Sequence, residues 1–437
     1  MKISFFGAAE EVGRSCIMVS SGKTKILLDA GVKLGEHEEH PLFDDKILNE
    51  IDAIFVSHAH LDHSGFLPHI FSAGYKGKVY ATKPTIELIN VLLTDYMRLS
   101  EPKDVTKEGF ARLQKSYTIV EFGEKVTIKD LTMSFSFSGH IIGSGMITVS
   151  DEKQTLLYTG DVNLSKTRLL EGADLKGLKA TTIITESTYS GRKDIFPPEG
   201  VVVKKMLKSI KDTLSAGGKV IIPSFAVGRA QEVLLLLDDY MSSGAIPKVP
   251  IYVDGMINKA LRIHRHNVIY CRKELQSRIL MSDFDPFKSD NFFPVEKKGV
   301  REKIVGEDQS SIIVTTSGMI TGGPIMFYLT KMSGNSMNKM ILVGYQASGT
   351  LGRQIQEGAK TISVNHKKVD VQMTVEAYHL SAHADRPQLD KMIKSVEGLK
   401  NIYIVHGEKT KTEEFKTDLV TLKYNAILPR LGGEYDL

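Results

Sequence analysis

Three imidazoles and a carboxylate fall within six residues in the string His58-Ala59-His60-Leu61-Asp62-His63, directly after the apolar run Ala53-Ile54-Phe55-Val56. A strand that delivers this string to its C-terminal edge places four metal-ligating side chains in one short loop. Imidazole nitrogen with carboxylate oxygen suits zinc, whereas magnesium and calcium prefer all-oxygen shells. Ligand-type residues at alternate positions form a mechanical pattern, so the loop reads as a metal site and not as a His-rich surface turn. A two-metal site needs about seven or eight ligands, and the remainder are expected at other strand ends. Four positions qualify: Asp29 after Ile26-Leu27-Leu28, His140 after the alternating Met133, Phe135 and Phe137, Asp161 after Leu157-Tyr158-Thr159-Gly160, and His406 after Ile402-Tyr403-Ile404-Val405. An Asp or His behind a strand is common in turns; the fourfold recurrence carries the weight.

The elements that must position these residues have two textures. Up to about residue 190 the chain reads as strands ending in short polar loops. Residues 16–19 and 26–28 form a hairpin, 146–149 and 156–158 a second, and 84–99 a helix with Pro84 near its start. From about residue 195, strands and helices alternate: a helix over 201–214, a buried strand over 219–223, a long helix from Arg229 through Leu237, and short buried strands at 251–253, 312–315 and 341–344. That alternation implies a parallel α/β sheet. Strands at 371–375 and 402–405 return to the first texture. The expected organisation is therefore a first domain over 1–190, an inserted domain over 191–374, and the completion of the first over 375–437.

The chain has 437 residues, enough for two cores, with 42% hydrophobic and 25% charged residues, the balance of a soluble globular protein. No apolar run approaches a membrane span, and the N-terminus reads as a strand and not as a signal peptide. Two cysteines, Cys16 and Cys271, are too few for a disulfide framework or a zinc ribbon, and a reducing cytoplasm is the simplest setting. A net charge of +4 permits a polyanionic substrate without arguing for one.

The His-x-His-x-Asp-His string with its later His, Asp and His positions resembles the metallo-β-lactamase superfamily. The resemblance extends to the β-CASP nuclease branch through Thr185-Glu186-Ser187-Thr188-Tyr189, Leu380-Ser381-Ala382-His383-Ala384-Asp385 and Val405-His406-Gly407-Glu408, which look like its motifs A, B and C. It spans essentially the whole chain, and the compact archaeal and bacterial relatives of the cleavage and polyadenylation specificity factor endonuclease are closest in kind. It implies an α/β fold, a metallo-β-lactamase αββα sandwich carrying an inserted parallel-sheet β-CASP domain. It also implies two Zn²⁺, one held by His58, His60 and His140, the other by Asp62, His63 and His406, with Asp161 bridging. Asp29 would orient a ligand imidazole by accepting its free N–H. Two zinc ions about 3.5–4 Å apart make a nucleophilic hydroxide available at neutral pH and neutralise phosphate oxygens. His383, held by Glu186, would then protonate the leaving 3′ oxygen.

The implied activity is a zinc-dependent ribonuclease of RNA processing or decay, cutting internally or from the 5′ end. A histidine at motif C, His406, goes with RNA-acting members. A small-molecule hydrolase of lactonase or thioesterase type shares the metal loop but needs neither the inserted domain nor Glu186 and His383. A catalytically silent RNA-binding scaffold is the third reading, and the filled ligand positions argue against it. Single-stranded RNA is the expected partner, with no membrane; a homodimer and an RNA-processing or decay complex are the assemblies the resemblance admits.

Several residues have blander readings. Arg229 either holds a phosphate or pairs with Glu232 at a helix start, and Ser317 and Ser381 either approach substrate or close ordinary turns. The most basic stretch, with Lys259, Arg262, His264, Arg265, His266, Arg272, Lys273 and Arg278, reads as a nucleic-acid backbone contact or a solvated helix face. His379 reads as a decoy four residues before His383, His69 as a packed residue, and His37 and His40 as part of a solvated loop over 35–40 in preference to an extra metal site.

Overall fold

The computed structural model describes residues 1–35, 37–281 and 285–437; Glu36, in the loop read as solvated, lies outside the described residues. The chain forms two compact units, one of Met1–Lys166, Leu170–Ile195 and Ala382–Leu437, the other of Thr167–Leu169 and Phe196–Ser381.

The first unit is built on two seven-stranded sheets. One runs in the order Glu434–Asp436, Lys2–Phe5, Ile17–Ser21, Thr24–Leu28, Ala53–Phe55, Lys78–Ala81 and Tyr117–Ile119. The other runs Asn425–Ile427, Asn401–Ile404, Thr182–Thr185, Thr155–Tyr158, Gly145–Ser150, Leu131–Phe137 and Lys125–Ile128. Side chains two apart on a strand share a face, and the core follows from that rule. Phe5, Val19, Leu28 and Phe55 of the first sheet meet Phe135, Ile147, Leu156, Tyr158 and Ile184 of the second in one buried cluster. The intervening Met146, Leu157 and Ile183 turn the other way, against Leu389, Met392, Phe415 and Leu419 of the helices Arg386–Ser395 and Lys409–Thr421. Helices Lys83–Ser100 and Lys107–Ser116 pack beside strands of the first sheet. This is the αββα sandwich. Strands buried on both faces read as apolar runs without alternation, which is why Leu157-Tyr158 and Ile183-Ile184 gave no face assignment in sequence.

Helix starts follow local chemistry. Thr106 accepts from the Gly109 N–H at 3.0 Å ahead of Lys107–Ser116. Asp385 accepts from the Gln388 N–H at 3.1 Å, and Pro387 lies in the first turn, so the chain enters Arg386–Ser395 immediately after His383.

The second unit carries a six-stranded sheet in the order Phe292–Val295, Ile251–Asp254, Ile312–Thr315, Val220–Pro223, Lys339–Leu342 and Thr374–Ala377, parallel throughout. Its helices include Glu199–Ser215, Arg229–Ser242 and Ile325–Met332. Leu234 to Leu237 are buried all round, which explains the four consecutive leucines. The basic stretch of this unit is not a free cationic face. Arg262 pairs with Glu296 and Arg278 with Asp239, each at 3.1 Å, Arg265 pairs with Asp285, and Arg272 reaches the Thr167 carbonyl at 2.7 Å. Among the described residues no helix is long and apolar enough to cross a membrane.

His264 in this stretch is fully buried on helix Ile257–His266, and its Nδ1–H donates to the Ala260 carbonyl at 2.7 Å. Burial holds its pKa down at about 4, below the roughly 6.5 of an unfolded chain. The unfolded state therefore takes up a proton between those values and the folded state does not, so this contribution is present above pH 6.5 and is lost as pH falls towards 4. Urea unfolding of the wild type and of His264→Gln at pH 7.5 and pH 5 should show a loss up to about 2 kcal/mol larger in the wild type. Identical pH slopes would remove His264 from the account.

Candidate metal centre

Asp29 closes strand Thr24–Leu28 in the left-handed region, at φ 62°, and is fully buried. Its carboxylate accepts four hydrogen bonds: from the Ser57 N–H at 2.6 Å, and from the Ser57 hydroxyl, the Tyr158 hydroxyl and His63 Nδ1–H at 2.7 Å each. The chain can place its neighbours this close because two glycines lack a Cβ. A Cβ on Gly31 would lie 1.8 Å from the Asp62 carbonyl oxygen, and one on Gly160, at φ +51°, would lie 2.7 Å from the Ser57 side chain.

These bonds determine ring tautomers. The one hydroxyl proton of Ser57 goes to Asp29, so the contact of Ser57 Oγ with His58 Nδ1 at 3.1 Å takes its proton from the ring. His140 Nδ1–H donates to the Ala382 carbonyl at 2.8 Å. His58 and His140 therefore both turn bare Nε2 lone pairs inward, and burial drives both rings well below the ordinary histidine pKa. These lone pairs lie 3.2 and 3.1 Å from His60 Nδ1. One ring proton cannot serve both. Asp161 Oδ2 completes the group, 3.4 Å from His58 Nε2 and 3.5 Å from His140 Nε2. Donor atoms around a tetrahedral zinc with bonds of about 2.0–2.1 Å stand about 3.3 Å apart. The spacing fits such an ion.

A second group lies on the other oxygen of the same carboxylate. Asp161 Oδ1 is 3.4 Å from His63 Nε2 and 3.6 Å from His406 Nδ1. His406 Nε2 is 3.2 Å from Asp62 Oδ2. His63 Nε2 and Asp161 Oδ1 are buried, and among the described residues neither has a hydrogen-bond partner. Burial opposes charge on His63, yet Asp161, Asp29 and Asp62 together hold its pKa well above the ordinary value. Burial also opposes charge on Asp161, which His63 and His406 nonetheless keep well below the carboxylate range. This is a site that demands a positive charge, supplied by a proton on His63 or by a cation that displaces it. His406 stands at φ 51°, anchored by its N–H to the Ala8 carbonyl at 2.8 Å, with Nδ1 3.3 Å from the Thr188 hydroxyl.

Next to these groups, His383 Nδ1 lies 3.0 Å from both carboxylate oxygens of the buried Glu186, whose Oε1 also accepts the Val162 N–H at 2.8 Å. Burial disfavours the charged ring, but Glu186 and Asp161 raise the His383 pKa to about 9. The ring packs 4.6 Å from His140 and is partly open to solvent. A protonated imidazole held at Nδ1 by Glu186 is oriented by that carboxylate.

His58, His60, Asp62, His63, His140, Asp161 and His406 are thus gathered around one carboxylate, with Asp29 behind them and Glu186 and His383 beside them. The three residues expected near substrate fall in the second unit. Arg229 is buried with its charge beside the Glu232 carboxylate. The Ser317 hydroxyl closes a turn, donating to the Gly322 carbonyl at 3.1 Å and accepting the Thr321 N–H at 3.0 Å. Ser381 is the last residue of that unit. His379 stacks on Phe196 beyond strand Thr374–Ala377 and shares no helix with His383. Ser57, Tyr158, Thr188 and the Ala382 carbonyl escaped notice in the sequence. Each adjoins or lies within a motif, but a serine before a histidine or a backbone carbonyl has no signature of its own.

Three family models match the chain: the Metallo-beta-lactamase superfamily domain over residues 18–189, the Beta-Casp domain over 230–355, and the Zn-dependent metallo-hydrolase RNA specificity domain over 368–429. Transcription termination factor FttA of Methanocaldococcus jannaschii is 37% identical over 432 residues, covering 95% of this chain and 68% of the relative. Its counterpart in Methanothermobacter thermautotrophicus is 36% identical over 437 residues, with 96% and 69% covered. A solved structure of a protein of unknown function from Enterococcus faecalis V583 matches with a TM-score of 0.59 at 14% identity, over 100% of this chain and 99% of that one, and shares the fold.

Replacing Asp29 by Asn should loosen His63 and, through Ser57, His58, and weaken zinc binding by about 10–100-fold. Competition against a chromophoric chelator measures this; an affinity within twofold of wild type would contradict the orienting role.

Proposed function

Because this chain belongs to the β-CASP branch of the metallo-β-lactamase superfamily, we propose that it is a zinc-dependent ribonuclease that hydrolyses phosphodiester bonds of single-stranded RNA. His58, His60 and His140 would hold one zinc ion, Asp62, His63 and His406 the other, and Asp161 would join them. When bound, two zinc ions supply a nucleophile at neutral pH and neutralise the non-bridging phosphate oxygens. The protein's own groups do the rest. Asp29 and Ser57 hold His63 and His58 with their lone pairs inward, and the Ala382 carbonyl does the same for His140. Glu186 orients His383 so that Nε2–H can protonate the leaving 3′ oxygen, which leaves a 5′-phosphate on the downstream product.

The observation that most supports this reading is the Glu186–His383 pair set against the ligand cluster, with His383 Nδ1 4.0 Å from Asp161. A departing 3′ alkoxide takes a proton, which an imidazolium held by a buried glutamate can give, and the match to an RNA specificity domain favours RNA over a small-molecule ester as the substrate. The RNA specificity domain and the relatives named transcription termination factor support RNA as the substrate; the setting would be the cytoplasm, with a homodimer or an RNA-processing or decay complex as the assembly.

Zinc-loaded protein incubated with 5′-labelled single-stranded RNA should give discrete fragments if it cuts internally, or labelled mononucleotide if it works from the 5′ end. His383→Ala should lower cleavage by about 10²–10⁴-fold with its zinc content intact. Glu186→Gln should lower it by less. Undiminished cleavage by His383→Ala would remove the proposed acid, and intact RNA in zinc-loaded wild type would overturn the ribonuclease reading. Removal of zinc by a chelator should abolish cleavage, and added zinc should restore it.

A further inference from the structure

A second group of ligand-type side chains, sharing no residue with the centre above, lies where residues 38–40 meet two helices. His69 of helix Leu67–Ser72 is buried, and its Nδ1 lies 2.6 Å from the Asp104 carboxylate. Its Nε2 lies 3.1 Å from the hydroxyl of Tyr96, on helix Lys83–Ser100. That hydroxyl lies 2.5 Å from Glu38 Oε1, which His40 Nε2 also approaches, at 2.7 Å. The His40 and His69 rings stand 4.4 Å apart, centre to centre. One ligand atom from each of Glu38, His40 and His69 lies within 4.8 Å of the others.

Counting protons shows what this arrangement lacks. With neutral rings, four polar contacts share three protons: one on His69, given to Asp104, one on Tyr96 and one on His40. The Tyr96 proton can satisfy His69 Nε2 or Glu38, not both, so one contact sets lone pair against lone pair. The carboxylate behind His69 Nδ1 is the partner that metal-bound histidines ordinarily have. Glu38 and His40 are each partly open to solvent, so an ion can reach the group.

We propose that Glu38, His40 and His69 form a separate cation site for a divalent transition ion of the zinc class. Two imidazole nitrogens and one carboxylate oxygen favour such an ion over magnesium or calcium, and Tyr96 or water would complete its shell. An ion there would fasten the segment carrying Glu38 and His40 to the helix carrying His69, as structural zinc sites do.

The test is a count. Full-length wild type, Glu38→Gln and His40→Gln are stripped with a chelator, reloaded with excess Zn²⁺, passed over a desalting column and analysed by plasma mass spectrometry. Each variant should retain one zinc equivalent fewer than wild type. Both altered side chains are partly exposed, and circular dichroism at the same temperature confirms that each variant is folded. RNA cleavage by both should stay within about threefold of wild type, which separates loss of this site from failure of the catalytic one. Reloading with Co²⁺ gives a second readout: the visible absorption lost in His40→Gln should be that of a site with nitrogen ligands. Equal zinc content in wild type and folded variants would overturn the proposal and leave the cluster as a hydrogen-bonded group with a protonated histidine.

Discussion

A buried carboxylate with four donors is hard to move, and Asp29 is the point from which the centre is hung. Its partners come from two segments: Ser57 and His63 from either end of the histidine-rich loop, and Tyr158 from a strand of the opposite sheet. One side chain therefore ties the two sheets together at their ligand-bearing end and decides the tautomers of two imidazoles. The cost of leaving any of these buried donors unpaired is about 1–3 kcal/mol, so the arrangement is cooperative. It also explains two features that look unfavourable alone: a non-glycine residue at positive φ, and glycines at which a Cβ would collide with the Asp62 carbonyl or the Ser57 side chain.

From that anchor the electrostatics follow. Asp161 divides its two oxygens between two sets of imidazoles, and lone pairs are aimed at one another with too few protons to separate them. Such an interior is unstable as a neutral hydrogen-bonded network and is resolved by positive charge. Glu186 and His383 extend the same logic outward, where a carboxylate stabilises an imidazolium instead of leaving it to metal coordination. The shortage of protons around Glu38, His40 and His69 is the same imbalance on a smaller scale, in a more open setting.

The second unit shows the opposite use of charge. Its most basic stretch is largely spent on local pairs, with Arg262, Arg265 and Arg278 each facing a carboxylate and Arg272 holding the Thr167 carbonyl. Glu232 accepts the N–H groups of Arg168 and Leu169 and the hydroxyl of Thr167. Runs of cationic residues announce a binding face only when their counter-charges are far away, and here those lie 30 or more residues off in sequence for Arg262 and Arg278. Nothing in a linear reading reports that.

The sequence by itself determined the fold class and marked out the candidate ligand set. His58 to His63 carry their spacing in six consecutive positions, and apolar runs ending in Asp or His mark strand ends whichever strands pair. Period-two alternation at Met133, Phe135 and Phe137, and the strand-helix alternation after residue 195, are local physical signals, so the two architectures could be read from them. Only the tertiary structure decided which oxygen of Asp161 faces which histidines and that residues 186 and 383 meet at 3.0 Å. Those are contacts across long sequence separations, set by sheet register and by the close approach of neighbouring segments at positions such as Gly31 and Gly160. The tautomer of a histidine belongs to this second class, because it depends on what lies behind the ring and not on the ring's place in the chain.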